Sequence, residues 1–401
     1  MFVFEATKHT PTENTACGPC LFGGKRFQKN EKKREWAQIW FFLSHLHPEW
    51  IICMNRYIDL LKTLIATPSF SKEEAKAADI MRAFLEKEGV LYHTKENNTW
   101  ALCKHFDKHK PTVLLNSHID TVRPAKGYTL DPFAPIEEGD ILYGLGSNDA
   151  GGPLVALLAV FVHFYEREDL PFNLIYAATA EEEISGRRGL EIVLPEIVPI
   201  QFAIVGEPTR MELAIAEKGL LVLDCYARGK SGHAAREEGE NALYKAIKDI
   251  QILQSYEFEK VSKVLGKVKM SVTQIEAGTQ HNVVPDICHF VADVRTNEFY
   301  SNKEAARIIN QLIESEVKPR SVRLNSSGIS EEHPFAQIAK RRGIRIYGSP
   351  TTSDQAIMST PSVKMGPGDS ARSHTADEYI YKSEILKGIQ QYIDMLEELK
   401  L

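Results

Sequence analysis

The most constraining feature of this chain is a recurring pairing of a short apolar run with a histidine or carboxylate just beyond it. Residues 112–115 are followed by His118 and Asp120, residues 173–178 by Glu181, Glu182 and Glu183, residues 202–205 by Glu207, and residues 363–365 by His374. A short apolar run bounded by polar residues predicts a buried strand. Helical patterns lie between these runs, and strand–helix alternation argues for a mostly parallel sheet with helices on both faces. In such a sheet, ligands collect outside the carboxyl ends of the strands. Asp149, in the glycine-rich turn 144–152 ahead of an expected helix at 151–167, joins the same rim.

The rest of the chain extends this α/β reading. Residues 71–74, Ser-Lys-Glu-Glu, predict a capping box opening a helix to about residue 88. Strands are expected near 91–95 and 99–104. Between about 213 and 325 the texture changes to strand 220–227, helix 240–254, strands 267–276 and 287–295, helix 302–315 and strand 321–324. That β-α-β-β-α-β order is ferredoxin-like. A helix at 334–342 and a last one at 377–399 return to the first texture. The expected organisation is therefore a catalytic domain of residues 54–212 and 326–401, interrupted by an inserted α+β domain of residues 213–325.

Residues 1–53 look foreign to this scheme. They hold three of the four Trp and three of the six Cys but no sustained periodicity. Cys17-Gly-Pro-Cys20 has redox-pair spacing but lacks the strand before and helix after that such a motif needs. An amphipathic helix is expected to start at Met54, leaving 1–53 as an extension outside the fold. The remaining cysteines form no disulfide framework and suit a reducing cytoplasm. A net charge of −6, with no basic run, argues against a nucleic-acid partner, and no membrane-spanning apolar stretch is expected.

The residues at the rim suggest a metal. Two histidines and several carboxylates, with no thiol, suit a hydrolytic zinc centre. Two ions about 3.5–4 Å apart would need a bridging carboxylate, for which Asp149 is the candidate. The step from Glu182 to Glu183 lets one carboxylate bind metal while its neighbour acts on water as general base. Asp120, two residues past His118, is placed to hold the imidazole's other nitrogen. Singly, each has a plain structural explanation: successive glutamates make a solvated face, and an Asp before Ala-Gly-Gly caps a helix. Their joint position at successive strand ends is what argues for chemistry.

From residue 54 onward the motifs resemble the two-zinc metallopeptidase family that includes acetylornithine deacetylase, succinyl-diaminopimelate desuccinylase, aminoacylase-1 and glutamate carboxypeptidase. They are Ser117-His-Ile-Asp-Thr-Val122, the turn 144–152, Thr179-Ala-Glu-Glu-Glu183, Val205-Gly-Glu-Pro-Thr209 and Ser373-His374. The resemblance implies that His118 and Glu207 hold one zinc, Glu183 and His374 the other, with Asp149 bridging and Glu182 as base; cobalt could replace zinc. It implies that His233 stabilises the oxyanion, often from a partner subunit, and that Asn282, Arg295 and Gly366 face substrate. The inserted domain would be a lid and dimerisation domain, so a homodimer is expected. The expected substrate is a small-molecule N-acyl amino acid: acetyl- or succinyl-ornithine or citrulline in arginine biosynthesis. Succinyl-diaminopimelate or a dipeptide are the alternatives, and a non-catalytic binding relative is a further one. Leu145, Ala150-Gly151, Glu181 and Glu237 depart from common family residues without removing a ligand.

Overall fold

The computed structural model of the protein describes residues 48–197 and 199–401, with side chains from Met54. The Cys17–Cys20 pair and most of the expected extension lie outside the described residues. The first described helix, Pro48–Ile65, starts six residues before the expected Met54. Proline's missing N–H and fixed φ cost nothing in a first helical turn, so Pro48 opens this helix.

The core is a nine-stranded mixed sheet. In chain order its strands are β1 (His93–Lys95), β2 (Asn98–Leu102), β3 (Thr112–His118), β4 (Asn173–Thr179), β5 (Phe202–Gly206) and β6 (Leu213–Glu217), and later three more from beyond residue 326. The parallel heart is β4-β3-β5, continued by the late strand Ser362–Met365, which runs parallel to β5. All of β3, β4 and β5 is buried, because alternate residues serve opposite faces and both faces are covered. On one face Leu114, Ile175, Ala177, Ala203 and Val205 pack with Leu190 and Val193. On the other lies helix Gly152–Phe164, whose Phe161 ring meets Tyr176 and whose Leu154 carbonyl accepts the Tyr176 hydroxyl. The window 147–164 is apolar enough to cross a membrane, yet 89% of it is buried in this core.

The middle of the chain builds a four-stranded antiparallel sheet from β7 (Gly219–Arg228), β8 (Lys269–Ala277), β9 (Ile287–Thr296) and β10 (Glu316–Pro319), in the order β8-β9-β7-β10. Helices Ala242–Ser255 and Asn302–Leu312 bury one face of it around Leu221, Leu223, Phe290 and Ile309.

Three local expectations are corrected. The capping box does not form: helix Ala75–Lys87 starts after Glu74 without a side-chain cap. Ser71 instead donates to Asp120 at 2.6 Å, and the Glu74 carboxylate accepts Lys72 N–H and the Asn97 amide. The fourth strand of the smaller sheet is Glu316–Pro319 rather than 321–324, whose Arg323 leaves the sheet to pair with Glu191. The final helix begins at Lys382, not 377, because Tyr379–Tyr381 first pairs with Ile141–Tyr143.

The helix under the sheet carries the fold, so Phe161→Ala is expected to cost about 3–5 kcal/mol of unfolding free energy. Urea denaturation measures it; a loss below about 1 kcal/mol would show the helix contact to be dispensable.

Candidate metal centre

Parallel pairing sets the site. His118, the last residue of β3, stands opposite Thr179, the last of β4, so the loops leaving both strands emerge together. Asn116 pairs with Val205, which brings the loop bearing Glu207 to the same edge. The left-handed turn at Gly146 (φ 75°) then delivers Asp149 ahead of the core helix.

His118 is 2% exposed. Its Nδ1 lies 2.9 Å from the Asp120 backbone carbonyl, a bond that requires the proton on Nδ1. Its Nε2 therefore offers a lone pair, and this buried atom has no hydrogen-bond partner. It lies 3.4 Å from Asp149 Oδ1, and 3.9 Å from both Glu182 Oε2 and Glu207 Oε1. Leaving a buried polar atom unpaired costs about 1–3 kcal/mol. A cation among these carboxylates would remove that cost. Beside this group, His374 Nε2 lies 3.0 Å from Glu183 Oε2 and 3.7 Å from Asp149 Oδ2. Asp149 thus presents one oxygen to each imidazole.

The donor set fits a metal. The atoms of His118, Asp149 and Glu183 lie within 4.8 Å of one another, as do those of His118, Glu182 and Glu207. Distance alone does not separate Glu182, the expected base, from the other carboxylates.

The electrostatics of the group suit a cation. Burial pushes the Glu207 carboxyl up to about 8, reinforced by Asp149 and opposed by His118 and Lys364. Burial also raises Glu182 well above the carboxylate range and raises Glu183. Burial opposes protonation of His118, but Asp120, Asp149 and Glu182 outweigh it and raise that imidazole. His374 is raised to about 9, first by its bond to Glu183. Carboxylates holding protons and imidazoles attracting them are two signs of one excess of negative charge.

Asp120 differs from expectation. Its Oδ1 stays 3.4 Å from Nδ1, and the imidazole bonds the backbone carbonyl instead. The Asp120 carboxylate accepts the N–H groups of Glu182 at 3.0 Å and Glu183 at 3.1 Å. It orients the loop that carries them.

The other expected residues lie elsewhere. His233 and Asn282 are exposed at the ribbon formed by Gly232–His233 with Val283–Val284, and no hydrogen bond or ion pair among the described residues joins them to the six rim residues. Arg295 pairs with Asp293 at 2.8 and 3.0 Å and reaches Thr352 Oγ1 at 3.4 Å. Gly366 packs behind the site, where a Cβ would stand 2.5 Å from the Glu207 carbonyl oxygen.

A cavity of about 280 Å³ opens beside the rim. Beyond the site carboxylates its wall is rich in hydroxyls, among them Thr209, Tyr347, Ser349, Thr351, Thr352 and Ser370. Sequence analysis missed the buried pair that stiffens this wall. Lys364 Nζ lies 3.3 Å from Glu217 Oε2, with exposures of 4% and 0%, and donates to Thr351. Glu217 in turn accepts the N–H and hydroxyl of Ser353. Burial would lower the Lys364 pKa, but Glu217 and Glu207 keep it raised. Asp354 follows, a buried carboxyl pushed up to about 7 by desolvation and bonded by Thr179. Neither residue sits in a recognisable motif.

The sequence profile of peptidase family M20/M25/M40 matches residues 114–398. The chain belongs to this family. A [LysW]-lysine/[LysW]-ornithine hydrolase of Sulfurisphaera tokodaii is 28% identical over 86% of this chain and 95% of its own length. A succinyl-diaminopimelate desuccinylase of Xylella fastidiosa is 24% identical over 83% and 95%. Among solved structures, aminopeptidase PepT of Bacillus cereus superposes with a TM-score of 0.69 at 18% identity, covering 86% of this chain and 98% of that one. A Bacillus subtilis protein described as a dinuclear metal-binding peptidase of the M20 family superposes at 0.67 and 18%, covering 86% and 97%. These likenesses establish the mostly parallel α/β fold and make the chain a hydrolase of this metallopeptidase family.

Removing one partner of a buried ion pair strands the other charge, so Lys364→Met is expected to cost about 3–5 kcal/mol. Adding Glu217→Gln should recover part of that loss in a thermal or urea melt. Equal stability of Lys364→Met and the unsubstituted protein would refute the pair's role.

Proposed function

We propose that this protein is a two-metal amidohydrolase that removes the acyl group from a small N-acyl amino acid. The observation that carries this is the buried, unpartnered Nε2 of His118 facing three carboxylates. His118 and Glu207 would hold one ion, Glu183 and His374 the other, and Asp149 would lie between them. Imidazole and carboxylate donors without thiolate suit zinc, with cobalt as a replacement.

Bound ions would supply Lewis acidity toward the amide carbonyl and an acidified water near neutral pH. The protein's own part falls to Glu182. Its carboxyl, held by the Asp120 grip on its backbone N–H, takes the proton of the attacking water and returns it to the leaving amine.

A small, hydroxyl-lined cavity favours a compact polar substrate over a bulky apolar peptide side chain. We place the preferred substrates among acetyl- or succinyl-ornithine and citrulline, as expected for arginine biosynthesis. His233 is exposed and forms no hydrogen bond or ion pair with the centre among the described residues, which suits a role supplied across a homodimer. The smaller sheet, read as the lid within residues 213–325, offers an open edge at β8 with Ile275 exposed, and nearby Tyr244 and Ile247 are exposed on helix Ala242–Ser255. Arg295, one bond from Thr352, would meet a substrate carboxylate, with Asn282 beside His233. Gly366 would act by letting the Glu207 loop close. Buried free thiols at Cys103, Cys225 and Cys288 suit a cytoplasmic location.

The test is hydrolysis of acetylornithine, succinylornithine, acetylcitrulline, succinyl-diaminopimelate and several dipeptides, with metal content measured alongside. Chelation should abolish turnover and zinc or cobalt restore it. Glu182→Gln should keep both ions and lose about 10²–10⁴-fold in kcat. A metal-free active enzyme, or an active Glu182→Gln variant, would overturn the mechanism.

A further inference from the structure

Glu378 lies four residues after His374, is 1% exposed, and has no cationic partner among its hydrogen bonds. Its Oε1 accepts the backbone N–H of Asn148 and of Asp149, both at 2.9 Å, and its Oε2 accepts Gly146 N–H at 3.0 Å. Its own carbonyl accepts Gly144 N–H at 2.9 Å. One buried residue therefore binds four N–H groups of the turn that presents Asp149.

The turn needs such a partner. Gly146 is left-handed, and Asp149 has φ −119° and ψ 99°, far from helical values. The N–H groups of residues 146, 148 and 149 converge on one point that the turn's own carbonyls do not fill. A carboxylate is the side chain with two acceptor oxygens and no donor. Glutamine would turn an NH2 toward an N–H, and aspartate would be one methylene short.

We propose that Glu378 is the positioning residue of the metal pair: by holding the backbone N–H of Asp149 it aims that carboxylate between His118 and His374. The inference rests on the two-metal reading above. Residues 374–378 are then a single clasp. His374 reaches Asp149 Oδ2 at 3.7 Å from one end, and Glu378 holds the Asp149 backbone from the other. Without that hold, Asp149 cannot present one oxygen to each imidazole. Groups that orient a metal ligand typically change affinity by about 10–100-fold when removed.

The experiment titrates zinc into the metal-free forms of the unsubstituted protein, Glu378→Gln and Glu378→Asp, records the cobalt absorption spectrum of each, and follows their metal-free melting. Expected for Glu378→Gln are one ion held nearly as before, the second weakened about 10–100-fold, a changed cobalt spectrum, and kcat falling more than KM rises. Glu378→Asp, which keeps both oxygens, should recover part of the affinity. Full affinity and an unchanged spectrum in Glu378→Gln overturn the proposal. So does an affinity loss that only tracks a lower metal-free melting temperature equally in both variants. If Glu378→Gln does not fold, unimpaired binding by Glu378→Asp overturns it as well. Failure of the unsubstituted protein to bind two ions would sink the two-metal reading itself, and is told apart by that first titration.

Discussion

Gathering four carboxylates and two imidazoles within a few ångströms in a partly buried cleft is unfavourable unless something fixes the chain around them. The structure does this with further carboxylates that accept backbone N–H groups. Asp120 grips Glu182 and Glu183, Glu378 grips the turn of Asp149, and Glu217 grips Ser353 ahead of Asp354. An ionised carboxylate accepting backbone N–H makes a charge-assisted bond stronger than a neutral one. Each grip spans more than fifty residues of chain, so the rim is closed by tertiary contacts rather than by the local propensity of its loops.

Those grips work because the sheet has already aligned the loops. Parallel pairing with His118 opposite Thr179 leaves no freedom in which residues emerge beside one another. A shift of one residue would turn every side chain of the strand to the other face. The complete burial of β3, β4 and β5 between two apolar layers prevents such a shift. Packing of the core thus determines the geometry of the chemistry at its edge.

Much of this arrangement was legible in the chain. Apolar runs ending in His118, Glu183 and Glu207 announced the parallel strands, and the structure gathers those three with Asp149, Glu182 and His374. Boundaries were less legible where tertiary pairing competed with local pattern. Ser71 forgoes a helix cap for the Asp120 carboxylate, and residues 379–381 forgo the last helix for a strand partner. Asp120 was recognised as a supporting group of the imidazole, and its carboxylate, 3.4 Å from Nδ1, also accepts the loop backbone of Glu182 and Glu183. Glu378, Asp354 and Lys364 passed unnoticed because each acts on backbone or on charges distant in sequence.

The sequence alone determined the fold class, the family and the set of titratable side chains at the rim, because hydrophobic periodicity and residue type are local properties of the chain. Tertiary structure decided which oxygen faces which nitrogen, which carboxylates hold backbone instead of facing the cleft, and how acidic each one is. Those depend on distances and desolvation between residues as many as 229 positions apart, and proton affinity is set by what a group is buried against rather than by its neighbours in the chain.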